Sequence, residues 1–99
     1  MPLGAIDRAR GGLNVAGQRL AASATNTANV STEGYREVEA SGVEEPGGVK
    51  VQIRRRAQPG VNLVKNAVDQ RLASTTYQAN LAVVKVADDM VGETMDLIG

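Results

Sequence analysis

Two groups of side chains in this sequence carry enough charge to do chemistry. Asp88, Asp89, Glu93 and Asp96 bring four carboxylates close together, the raw material of a cation site, and Arg54, Arg55 and Arg56 stand in a row, the raw material of a phosphate contact. Neither has the company such sites require. The carboxylates match no calcium-loop spacing and fall inside a helical stretch, so they read as a solvated or ion-paired face. The arginines have no aromatic side chains interleaved with them for stacking on bases, and the formal charge of the chain is zero. They read as a patch for solvent or for another subunit. Gly47-Gly48 lacks the strand, loop and helix setting of a phosphate loop and reads as a turn. With no His and no Cys in 99 residues there is no imidazole base, no thiolate nucleophile and no thiolate zinc site. No catalytic residue, metal ligand or cofactor is expected, and no nucleic-acid partner.

The most specific polar string is Asn26-Thr27-Ala28-Asn29-Val30-Ser31-Thr32-Glu33-Gly34-Tyr35-Arg36. Its asparagines and hydroxyls suit the free amides and carbonyls of an ending helix, Gly34 suits a positive φ, and Tyr35 suits an anchor for the strand that follows. Upstream, Ile6, Leu13 and Leu20 recur every seven residues, each followed three residues later by a small one, Ala9, Ala16 or Ser23. This predicts a helix from Leu3 to about Asn29 with a heptad seam. Gly11, Gly12 and Gly17 each weaken its intrinsic propensity by about 1 kcal/mol relative to Ala, so it depends on partners.

Downstream, Val38, Ala40 and Val43 are separated from Val49, Val51 and Ile53 by Glu44-Glu45-Pro46-Gly47-Gly48, which predicts a short β-hairpin. Gln58-Pro59-Gly60 breaks the chain again, and Asn62 is placed to cap a second helix running to about Ile98, roughly 54 Å at about 1.5 Å per residue. Two apolar stripes run along the second half of that helix: Ala79, Val83, Val86, Met90 and Leu97, beside Tyr77, Leu81, Val84, Val91, Met95 and Ile98. Two stripes need more than one partner helix. The chain thus divides into 1–35, the first helix and its polar string; 36–60, the β excursion; and 61–99, the second helix, all in one structural domain. The expected fold is mainly α, two long terminal helices in an antiparallel coiled-coil hairpin with a short β-hairpin between them. Ile6, Leu13, Leu20, Val86, Met90 and Leu97 are its expected helix core.

A chain of this length buries only about 60–65% of its unfolded surface, and with Tyr35 and Tyr77 as its aromatics each buried residue contributes little area. Assembly is the remedy left open. Charge is segregated: Arg8, Arg10 and Arg19 outweigh Asp7 near the start, while Asp88, Asp89, Glu93 and Asp96 lie near the end, so an antiparallel hairpin is expected to bring opposite charges together. No apolar run is long enough to insert directly in a membrane, and Met1 to Leu20 lacks the apolar core of a cleaved secretory signal.

The string from Asn26 to Arg36 resembles the signature of the bacterial flagellar basal-body rod and hook family of axial proteins, N-x-A-N-x-x-T-x-G-[YF]-[KR]. Asn26, Ala28, Asn29, Thr32, Gly34, Tyr35 and Arg36 occupy its fixed positions. Independently, Val61-Asn62-Leu63-Val64 resembles the family's N-V-D-L-V entry to the C-terminal helix. Thr76-Tyr77-Gln78-Ala79-Asn80-Leu81, followed by Val84, Lys85, Ala87, Asp88, Met90 and Asp96-Leu97-Ile98, resembles its A-Y-[QE]-A-N-L-x-V-[IL]-K-x-A-D-E-M and D-L-I. The chain departs from the pattern at Asn62, where Asp is usual, at Ser74-Thr75-Thr76, and in the short stretch from Arg36 to Gly60.

The resemblance implies a structural subunit without catalytic activity, polymerising with itself and with other rod and hook axial proteins through its terminal helices into the axis that transmits torque. It also implies passage through the flagellar type III export apparatus to the basal body in the cell envelope, without a cleaved signal. Subunit contacts are then expected at Asn26, Ala28, Asn29, Thr32, Gly34, Tyr35, Tyr77, Gln78, Asn80, Leu81 and Val84. The reduced middle motivates an alternative, a non-polymerising helical-hairpin adaptor or regulator of flagellar export or assembly.

Overall fold

A computed structural model describes residues 2–46 and 48–98, with side-chain surroundings described for 4–46 and 48–92. Helix α1 spans Pro2–Ala28, strands β1 and β2 span Val38–Glu45 and Gly48–Arg55, and helix α2 spans Leu63–Ile98. The two helices form an antiparallel hairpin with a two-stranded antiparallel sheet between them in sequence, the architecture expected from the apolar periodicities. Local chemistry sets each boundary. The Asn29 amide returns to the Thr25 carbonyl at 3.1 Å, Asn29 Nδ2 donates to the same carbonyl at 2.9 Å, and Thr32 Oγ1 donates to Asn29 Oδ1 at 3.1 Å. Gly34 then turns the chain at φ 74°, a left-handed conformation that a Cβ disfavours. At the other helix, Asn62 Oδ1 accepts the Lys65 amide at 3.0 Å, which makes it the expected N-cap.

The seam between the helices is built from small residues rather than large ones. Ala9, Ala16 and Ser23 on α1 are buried, as are Asn66, Ala73 and Ala87 on α2. Both sets follow a heptad spacing, so each helix presents one narrow strip to the other. The approach is close where Gly12 faces Asn80: a Cβ at position 12 would lie 2.5 Å from Asn80 Oδ1. Small side chains let the helix axes come together, and many larger ones, Leu20, Leu72, Val83 and Val86 among them, are turned outward.

This corrects part of the expected core. Ile6 is buried and Leu13 half-buried, but Leu20, Val86 and Met90 are exposed on the single chain, while the side chain of Leu97 lies outside the described residues. The reason is the seam itself: with alanines at the contact line, residues one position away, such as Val86 beside Ala87, rotate by about 100° to the outer face. The expected pairing of opposite charges at the helix ends is not made at Asp88 or Asp89, while the side chains of Glu93 and Asp96 lie outside the described residues. Among the described residues no ion pair joins Arg8, Arg10 or Arg19 to Asp88 or Asp89, and the ion pairs gather instead around Glu37, Glu39 and Asp69.

In the hairpin, Val38 stands opposite Arg55, Ala40 opposite Ile53 and Gly42 opposite Val51. Directly opposed residues share a face. Val38, Ala40, Gly42, Val49, Val51 and Ile53 therefore share one mainly apolar face, with Glu44 and Arg55 at its ends, and it meets α1 where a Cβ on Gly42 would lie 3.1 Å from Val15 Cγ2 and one on Gly11 would lie 3.6 Å from Val49 Cβ. Among the described residues no helix is long and apolar enough to cross a membrane.

Candidate functional site

The polar string does more than cap a helix. Asn26, near the end of α1, is buried with its carboxamide laid against the peptide of Val38 at the start of β1: Nδ2 donates to the Val38 carbonyl at 2.9 Å and Oδ1 accepts the Val38 amide at 2.8 Å. The side chain thereby takes the place of a neighbouring strand. Its remaining capacity is also used, because Tyr35 Oη donates to Oδ1 at 3.0 Å and Nδ2 donates to Asn66 Oδ1 at 3.0 Å. Two donors and two acceptor positions are all matched, the full complement of a carboxamide.

Asn66 carries the network across to α2. It is 1% exposed, and its Nδ2 donates both to the Asn62 carbonyl at 2.8 Å and to Glu37 Oε2 in a short contact. Glu37, also 1% exposed, accepts Arg56 Nη1 on its other oxygen at 2.7 Å. Four segments meet here: the end of α1, the entry to β1, the exit from β2 and the start of α2. Outside the buried group, Arg55 stands 5.5 Å from the centre of the Tyr35 ring and donates from Nη1 to the Arg36 carbonyl at 2.9 Å.

Burial acts to raise the Glu37 carboxyl, but hydrogen bonds from Asn66 and Arg56, with the charges of Lys65 and Arg56, hold it below its ordinary value of 4.5. A depressed carboxylate contributes stability that is present above its unfolded pKa and is lost as pH falls through the folded one. The chain should therefore lose stability progressively as the medium is acidified below about pH 4.5. Urea unfolding at a series of pH values, compared with Glu37→Gln, checks this. The variant should be less stable at neutral pH and less sensitive to acid, and an unchanged acid dependence would contradict the assignment.

The expected contact residues are spread over different environments. Asn26 is buried and Asn29, Tyr35, Asn80 and Val84 are half-buried, whereas Ala28, Thr32, Gly34, Tyr77, Gln78 and Leu81 are exposed. The structure brings Asn26 and Tyr35 together and leaves Tyr77 and Asn80 farther along the helix pair, against Gly17 and Gly12. Glu37 and Asn66, which complete the network, were not legible as site residues. One signal was present: a buried-type role suits an asparagine placed inside a helix, where its propensity is poor. Among the described residues no three carboxylates converge on a possible metal site. An open groove of about 430 Å³ lies beside the network, lined by Arg19, Glu39, Lys65 and Asp69 together with alanines, a rim of balanced charge.

The outer face of α2 is the other feature of consequence. Val64, Val68, Leu72, Val83, Val86 and Met90 are all exposed, and with Thr75 and Ala79 they step along the helix by four, four and three residues. That step keeps them on one side of a nearly straight helix for about 39 Å. No protein-family model matches the chain, and no curated protein matches it.

Proposed function

We propose that this chain is a structural subunit of the flagellar basal-body rod, without catalytic activity, that polymerises through its terminal helices into the axial structure. The observation that carries the reading is the exposed apolar stripe on α2 in a chain whose buried apolar residues, among the described ones, are Ile6, Ala9, Val15, Ala16, Ala73 and Ala87. Such a core is small, and a soluble monomer rarely leaves so long an apolar strip in water. Packing the stripes of neighbouring copies, or of related axial subunits, would bury it. The motif residues support the same reading: Asn26 and Tyr35 tie the hairpin to the helix pair, as suits a subunit that is to transmit load as one body. Export through the flagellar type III apparatus and a place in the cell envelope belong to this proposal.

The test is circular dichroism with sedimentation over a concentration series of the full chain, alone and mixed with purified rod subunits. Growth of large helical assemblies with concentration, or on mixing, is the expected result. A discrete species whose size does not change under either condition would instead favour the non-polymerising adaptor.

A further inference from the structure

We propose that the outer edge of β2 is a docking site for an acidic extended segment of another protein, added as a third strand of the sheet. The geometry of the ladder carries this. The Arg56 amide donates to the Glu37 carbonyl at 2.9 Å, and the register pairs Val38 with Arg55. In an antiparallel pair, hydrogen-bonded and non-hydrogen-bonded positions alternate. The backbone groups of Val38, Ala40, Gly42 and Glu44 on β1, and of Val49, Val51, Ile53 and Arg55 on β2, therefore point away from the ladder.

The two outer edges have different fates. On β1 the edge is covered by α1: Asn26 takes both groups of Val38, and Arg19 Nε donates to the Ala40 carbonyl at 3.3 Å. On β2, among the described residues, no hydrogen bond reaches the outward groups of Val49, Val51 or Ile53, and all of β2 except the half-buried Val51 is exposed. This is a row of donors and acceptors of the kind that captures an added strand.

Charge selects the occupant. Lys50 and Arg54 lie on the polar face of β2, four residues apart, and neither makes an ion pair among the described residues. A second β2 would bring cations to cations, which disfavours self-pairing. A strand with acidic residues four apart and β-branched residues between them would set carboxylates beside Lys50 and Arg54 while its backbone pairs with Val49, Val51 and Ile53. The inner ladder already follows this rule, with Glu39 on β1 opposite Arg54. The inference uses a surface separate from the α2 stripe and does not rest on the axial role.

The probe is the peptide acetyl-Thr-Val-Glu-Val-Thr-Val-Glu-Val-Thr-amide, with a control carrying Lys at both Glu positions. Amide exchange of the full chain, followed by NMR, should slow about tenfold or more at Val49, Val51 and Ile53 when the acidic peptide is saturating, with Lys50 and Gln52 unchanged. Val51→Pro removes one outward N–H without removing a ladder bond, and should weaken binding about tenfold while circular dichroism stays the same. Lys50→Glu with Arg54→Glu should transfer the preference to the Lys peptide. Three results would overturn the proposal: no slowing, equal slowing by both peptides, or protection of the same amides by raising protein concentration without peptide.

Discussion

Replacing Asn26 by Ala should destabilise the chain by about 3–5 kcal/mol, a large fraction of the roughly 5–15 kcal/mol available to a small domain. The size follows from what the carboxamide satisfies. Its loss leaves the amide and carbonyl of Val38, the hydroxyl of Tyr35 and Asn66 Oδ1 without their partner. A buried group left unmatched costs about 1–3 kcal/mol, and water entering the gap recovers only part of that. Asp is no better at this position, because a carboxylate has no N–H to give the Val38 carbonyl or Asn66 and would add charge near Glu37. Urea unfolding measures the loss, and a cycle with Asn66→Ala measures how far the two act together. Hydrogen exchange should show the hairpin amides opening before those of the helix pair. A loss below about 1 kcal/mol would mean that the network is incidental to stability.

The second large effect belongs to the proposed assembly rather than to folding. Leu72 is 62% exposed and Val86 57% exposed on the single chain, so Leu72→Asp and Val86→Asp should each change monomer stability by no more than about 0.5 kcal/mol. In a polymer that buries the stripe, each forfeits about 1.5–3 kcal/mol of apolar burial and places a charge in a dry contact. Together they should raise the concentration needed for assembly by at least about a hundredfold, since each 1.4 kcal/mol is a factor of ten. Sedimentation of the double variant reads the assembly, and circular dichroism with urea unfolding reads the monomer. Assembly at the unaltered concentration would remove the stripe from the contact. Ala82→Asp offers a comparison at an exposed residue of α2 outside that stripe.

Polar side chains inside and apolar ones outside invert the usual arrangement in this chain. Asn26, Glu37 and Asn66 are buried, whereas Val64, Leu72 and Val86 are in water. Fully matched polar groups specify one geometry among many, because any shift leaves several of them unpaired at once. They set the angle of the hairpin on the helices; the alanine seam contributes close contact but little selectivity along the helix axis. The exposed stripe, by contrast, adds nothing to the single chain and gains its energy only when covered.

The sequence by itself determined the order and the limits of the elements. Heptad spacing from Ile6 to Ser23, the breakers at Gly34, Pro46 and Pro59-Gly60, and the cap at Asn62 act over a few residues, and local sterics and hydrogen bonding suffice to place them. It also specified that Gly34 takes a positive φ and that Tyr35 ties the following strand to the helix. The tertiary structure decided which side of each helix is the inside. Ile6, Leu13 and Leu20 and the small residues that follow them have the same period, so period alone does not choose between them; close approach at Gly12 and Ala16 does. It likewise decided that Asn26 reads the Val38 peptide and reaches Asn66, 40 residues away, with Glu37 and Arg56 completing the group. Hydrogen-bond partners that distant leave no periodic trace in a sequence, because their match exists only once four separate segments have been brought to one place.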